Sequence, residues 1–200
     1  LFRSFDGQFG AVQNWATMQE VALFRPDGVD RVSRLQYKKM AKATIEEDRQ
    51  RHEKARHEAN AVIRECQRGE HSYLASKGFP LAQGLIHPSG DLIIPMRDFK
   101  HYGTVNGIQR ISQGGAKKFL FGTKAKGSVF VIGKGALRER WLVEGYATGL
   151  SVQAALLDLR RQAEVVVCFS AGNLKHIAGM VKRPAFVIAD NDESGIGEAA

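Results

Sequence analysis

The sequence predicts an α/β protein: a parallel sheet layered with helices towards the C-terminus, preceded by a small basic β-rich (α+β) subdomain, with a long helix connecting it to a short β segment. Three observations carry this. After Arg138, short apolar runs alternate with segments of helical length, the rhythm of strands joined by crossover helices. Between Gly69 and Arg138 the apolar runs are short and punctuated by glycines, which suits a β-rich lobe. Ahead of both, no Gly or Pro interrupts Lys38 to Arg68, so one long helix fits there.

Taken in order, residues 1–37 mix Gly, aromatics such as Phe9 and Trp15, and the apolar run Val21 to Phe24, with Pro26-Asp27-Gly28 as a turn. They read as a small β segment. Residues 38–70 form the helical linker. Opposite charges recur one turn apart, as in Glu47 with Arg51, Arg49 with Glu53 and Lys54 with Glu58. Its apolar stripe of Ile45, Ala55, Ala59, Val62 and Cys66 is thin, so most of its surface is solvated. Residues 71–138 supply strands over Leu92 to Met96, Thr104 to Ile111, Lys118 to Phe121 and Ser128 to Ile132. Residues 139–200 read as strand Trp141 to Val143, helix Ala147 to Arg161, strand Glu164 to Phe169, a short helix Asn173 to Met180 and strand Ala185 to Ala189. Another helix is expected after Gly197, so this lobe reads as C-terminally incomplete.

With 44% hydrophobic residues the chain can bury a core. Its apolar runs, such as Leu92 to Pro95 and Val165 to Phe169, fall far short of the roughly 20 residues of a membrane span. Leu1 to Gly10 show no basic start followed by an apolar run. A cytoplasmic location with no membrane partner is expected. The two cysteines, Cys66 and Cys168, form no Cys-x-x-Cys pair, so neither a disulfide framework nor zinc is expected, and Cys168 reads as a buried strand residue.

The formal net charge is +8, which favours polyanionic partners. Its distribution says more. Between His71 and Arg138 the only acids are Asp91 and Asp98, set against Lys77, Arg97, Lys100, Arg110, Lys117, Lys118, Lys124, Lys126, Lys134 and Arg138. From Glu139 onward the balance turns slightly acidic. A basic block beside clustered acids suits a phosphate-binding surface next to a metal site.

In a parallel sheet, functional groups gather beyond the carboxyl ends of the strands. Glu144 directly follows Trp141-Leu142-Val143, and Asp190 and Asp192 follow Phe186 to Ala189. Three carboxylates in one cleft repel one another unless cations neutralise them, and hard oxygen ligands suit Mg²⁺ or Mn²⁺. Such a site fits phosphoryl transfer. Gly195 and Gly197 form a candidate loop for close approach of phosphate to backbone at a helix start.

The set Leu142 to Tyr146, Ser170 to Leu174 and Ile188 to Gly195 resembles the Toprim domain, a Rossmann-like fold shared by bacterial primases, topoisomerases and some nucleases. Upstream, Leu92 to Asp98, Lys117 to Leu120 and Lys126-Gly127 ahead of Val129 to Gly133 resemble the basic subdomain that precedes Toprim in primases. Glu144 to Thr148, reading Glu-Gly-Tyr-Ala-Thr, is most similar to primases of plasmids and phages. The resemblance runs from about Tyr73 to the end. It implies a DNA primase catalytic core that makes short RNA primers from ribonucleoside triphosphates on a single-stranded DNA template. Glu144, Asp190 and Asp192 would be the catalytic residues and hold two Mg²⁺ or Mn²⁺ ions. Lys117, Lys118, Lys126, Arg97 and Arg110 would meet nucleotide or template phosphates, and a replicative helicase would be reached through other regions.

Two departures are visible. Thr148 stands where bacterial replicative primases have Asp, and Ile108-Gln109-Arg110 where they show Gly-Gly-Arg. A Toprim nuclease and a non-catalytic nucleic-acid-binding module remain as alternatives. In topoisomerases the nucleophilic tyrosine lies in another domain, so Tyr146 is not expected to attack. Trp15, Phe119 and Phe121 read as core residues or base stackers. His52, His57 and His176 read as solvated or capping, and Asn173 as a helix cap.

Overall fold

The computed structural model of the chain describes residues 2–4, 10–12, 22–24, 31–133, 139–182 and 185–188. They fall into two compact units, Leu1–Gln50 and Arg51–Ala200. In the first, β1 (Phe2–Ser4), β2 (Gly10–Val12) and β3 (Ala22–Phe24) form an antiparallel sheet in that order. Trp15 lies outside the described residues.

Helix α1 (Arg31–Glu65) begins upstream of the expected Lys38, because Arg31 to Tyr37 also lack Gly and Pro. It stops short of the expected Arg68, because Gln67–Gly69 is drawn into a strand instead. Ala55, Ala59 and Val62 are buried as the stripe predicts, whereas Ile45 is exposed. Ion pairs on its surface include Glu46 with Arg49 and Glu53 with Arg56.

The second unit is an α/β structure around a mixed sheet of nine strands. After α1 the chain runs β4 (Gln67–Gly69), α2 (Ser72–Ser76), β5 (Gly84–Ile86), β6 (Leu92–Asp98), β7 (Val105–Ile111), β8 (Lys117–Phe119) and β9 (Ser128–Ile132). It continues with β10 (Glu139–Val143), α3 (Tyr146–Asp158), β11 (Ala163–Val167), α4 (Ala171–Ala178) and β12 (Ala185–Ile188). The order is β12-β10-β11-β9-β6-β5-β4, with β7 on β6 and β8 on β7.

The parallel pairing expected after Arg138 holds among β10, β11 and β12, but the β-rich segment expected as a separate lobe joins them in one mixed sheet. Parallel pairing joins β12 to β10 and β10 to β11, while β9 runs antiparallel to β11. The cause is continuity between the two halves. Phe130 to Ile132 of β9 pair with β11, and Ser128 and Val129 pair with Asp98 and Arg97 of β6. One sheet therefore passes through both the basic segment and the α/β segment. The expected boundary at Arg138 falls within residues 134–138, outside the described residues.

Strand alternation sends successive residues to opposite faces. Leu92, Ile94, Val143, Val165 and Val167 pack with Tyr73 of α2 and Tyr146 and Leu156 of α3. On the other face Leu142, Val166 and Cys168 pack with Leu174 and Ile177 of α4, and Ile93 and Ile108 pack with Ala59 and Val62 of α1. Cover on both faces explains why β11 is buried along its whole length. Its one charged residue, Glu164, is paired with Arg140 across the β10–β11 ladder. At α2, the His71 ring accepts the Tyr73 N–H through Nδ1 at 3.2 Å, so its Nε2 carries the proton donated to the Gly90 carbonyl at 3.0 Å.

Candidate active site at the carboxyl edge of the parallel strands

Because β10, β11 and β12 are parallel, with Val143 in register with both Val167 and Ile188, the carboxyl ends of all three strands lie at one edge. Glu144 is the first residue past β10 and is half-buried. Its carbonyl accepts the Phe169 N–H at 2.8 Å, and the Val143 carbonyl accepts the Cys168 N–H at 2.8 Å, so the ladder continues past both strands. Gly145 then opens α3, its carbonyl taking the Gly149 N–H at 2.9 Å. Asp190, Asp192, Gly195 and Gly197 lie outside the described residues; Asp190 follows Ile188 by two positions.

Burial, with the nearby Glu144 charge adding to it, pushes the Cys168 thiol up to about 12. Cys168 is thus the buried residue expected. The Glu144 carboxylate is a hard oxygen donor at this edge. Among the described residues no three His, Cys, Asp or Glu side chains cluster; of the expected ligands only Glu144 is among them. Tyr146 is buried against Phe130, ring centroids 5.7 Å apart, and burial raises its phenol. Its role is in the core.

Phe169 joins this edge to the basic segment. It has φ 70°, left-handed backbone that a bulky residue rarely adopts. Its N–H donates to the Glu144 carbonyl, while its ring meets Phe119 of β8 edge-on, centroids 6.2 Å apart. The strand Lys117-Lys118-Phe119 is thereby held near the Glu144 loop.

The basic residues expected to act together occupy distinct positions. Ile111 pairs with Lys117, Arg110 with Lys118 and Gln109 with Phe119. Alternation places Lys117 on the face of Phe119, its Nζ 5.7 Å from the Tyr73 ring centroid. Lys118 shares the opposite face with Arg110, the face that α1 covers through Ile108. Arg110 is engaged with Asp91 at 3.6 Å. Arg97 lies over the Tyr102 ring, 5.6 Å from its centroid, and Lys126 is exposed in the turn before β9.

Asn173 was expected to cap α4, but Ser170 fills that place, its side chain accepting the Asn173 N–H. Asn173 has a larger role. Its buried amide accepts the Gly127 N–H at 2.8 Å and donates to the carbonyls of Ser128 at 2.7 Å and Cys168 at 2.8 Å. It staples the Lys126-Gly127 turn to the end of β11. Beside that turn, burial and the charges of Lys126 and Lys100 lower His176. His52, expected to be solvated or capping, donates from Nδ1 to the Gly122 carbonyl at 2.7 Å.

No described helix is long and apolar enough to cross a membrane. No protein-family model matches the chain, and comparison with curated proteins and with solved structures gives no match.

Proposed function

We propose that this chain is the catalytic core of a Toprim-type DNA primase, which joins ribonucleotides on a single-stranded DNA template. The observation that carries the reading is the shared edge. Glu144 directly follows the central parallel strand, Asp190 and Asp192 follow its register neighbour in sequence, and the Phe119–Phe169 contact holds a lysine-bearing strand nearby.

In this reading Glu144, Asp190 and Asp192 hold the divalent ions, which supply charge neutralisation at the reacting phosphate. The Glu144 carboxylate assists removal of the proton from the primer 3′-hydroxyl. Lys117, Lys118, Lys126 and Arg97 hold nucleotide or template phosphates, orienting the α-phosphate for attack as pyrophosphate departs. Arg110, already paired with Asp91, contributes mainly through the positive field of its strand.

The test incubates the chain with single-stranded DNA, labelled ribonucleotides and Mg²⁺ or Mn²⁺, beside Glu144→Gln and Asp190→Asn. Short labelled oligomers from the parent alone are expected, with both variants down at least a hundredfold and their thermal melts near that of the parent. Variants with parental turnover would remove the acidic site. Cleavage of the template in place of synthesis would make the chain a nuclease.

A further inference from the structure

From Phe99 to Arg138 the sequence holds no Asp or Glu. Within that stretch two successive turns display their second residues in the same way. Thr123 N–H returns to the Leu120 carbonyl at 3.1 Å, with Gly122 at φ 81°. Ser128 N–H returns to the Ala125 carbonyl at 3.0 Å, with Gly127 at φ 80°. Phe121 and Lys126 stand at the corresponding corners.

Both turns are fastened from behind. The Gly122 carbonyl takes the His52 N–H, and a Cβ on Gly122 would lie 2.9 Å from the Arg51 carbonyl oxygen. Gly127 is held by Asn173, and its carbonyl accepts the Phe99 N–H at 2.9 Å. The Phe121 ring is nevertheless 85% exposed. A phenyl ring displayed on a fastened turn adds almost nothing to the core, yet it is pre-organised for binding, where little ordering entropy remains to be lost. Exposed Lys117, Lys118, Lys124 and Lys126 flank it.

We propose that residues 117–126 form a rigid platform for single-stranded nucleic acid, on which Phe121 stacks against a base while Lys118, Lys124 and Lys126 neutralise neighbouring phosphates. Aromatic rings between lysines suit this ligand, because every base has a face to stack and every link a charge. One protruding phenyl is too little apolar area to hold a membrane surface. The proposal deepens the primase reading by locating the template strand, and rests on that reading only for the strand's identity.

The test measures binding alone, by fluorescence anisotropy in EDTA without nucleotides. The probes are an oligothymidylate of about twelve nucleotides and an abasic strand with the same number of phosphates. Phe121→Ala should weaken oligothymidylate binding about tenfold and leave abasic binding unchanged, and Phe121→Trp should restore it. Lys118→Ala should weaken both strands and make the salt dependence shallower by about 0.7 in log–log slope. A parent that binds neither strand, or a Phe121→Ala variant that keeps oligothymidylate affinity or loses both strands equally, overturns the platform. So does Phe121-dependent binding to anionic phosphatidylserine vesicles without binding to the strands. Failure of the primase reading is separate: the parent would then bind oligothymidylate through Phe121 yet make no primers.

Discussion

At the scale of single residues, Asn173 does most to define the candidate site, and sequence reasoning assigned it a lesser role. A polar residue three positions after a capping Ser is common at helix starts, so nothing in Ser170-Ala171-Gly172-Asn173 distinguishes a surface residue from a buried staple. The difference arises from the Ser128 and Cys168 carbonyls, supplied by distant parts of the chain. Asn173→Ala removes the partners of one N–H and two carbonyls together. Each group left unsatisfied costs about 1–3 kcal/mol, and with some recovery by water the expected loss is about 2–5 kcal/mol in urea unfolding. Asn173→Asp keeps an acceptor for Gly127 but turns a carboxylate oxygen towards the carbonyls, so it should be no more stable than the alanine variant. A loss below about 0.5 kcal/mol in either variant would show that the staple does not hold.

At the scale of elements, the close seating of α3 depends on Gly149. A Cβ there would lie 2.8 Å from Ile132 Cδ1, 3.0 Å from Val167 Cγ2 and 3.3 Å from Val143 Cγ2. Gly149→Ala should gain about 1 kcal/mol in helix propensity, whereas overpacking costs about 1–3 kcal/mol. Because Val167 and Val143 are buried, β-branched and unable to swing away, the loss should win, lowering the melting temperature; a rise would mean that the helix shifts without cost. The longer elements were legible because periodicity and punctuation marked them: β6, β7, β9, β11, α3 and α4 lie within a few residues of expectation. The pieces missed were β4, α2 and β5. Each is only a few residues long, and their pairings join Gln67–Gly69 to Gly84–Ile86 across a helix, a tertiary choice that leaves little local pattern. Gly84 shows the same dependence on context, since a Cβ there would meet Leu92 Cδ1 at 2.3 Å.

At the scale of the whole second unit, the mixed sheet explains which parts of the site could be read in advance. The position of Glu144 just past β10 was legible because an acid directly after an apolar strand needs only local pattern. The spread of Lys117, Lys118, Arg97 and Arg110 over different positions was not, because which face each lysine takes depends on the register of β8 with β7. Phe169 was equally hidden: its link to Glu144 exists only once β10 and β11 pair. The Phe119–Phe169 contact should therefore be an energetic link between the basic and acidic parts of the sheet, and a double-mutant cycle can read it. An edge-to-face aromatic pair is worth about 0.5–1.5 kcal/mol beyond the area it buries, so Phe119→Ala and Phe169→Ala should each destabilise the protein while the double variant loses less than their sum by about that amount. Phe169→Gly separates ring from backbone. It loses the same ring but relieves the left-handed conformation, and should be more stable than Phe169→Ala by about 1 kcal/mol. Additive single losses would mean that the rings do not couple the two parts, and a glycine variant less stable than the alanine variant would mean that residue 169 is not held left-handed in solution.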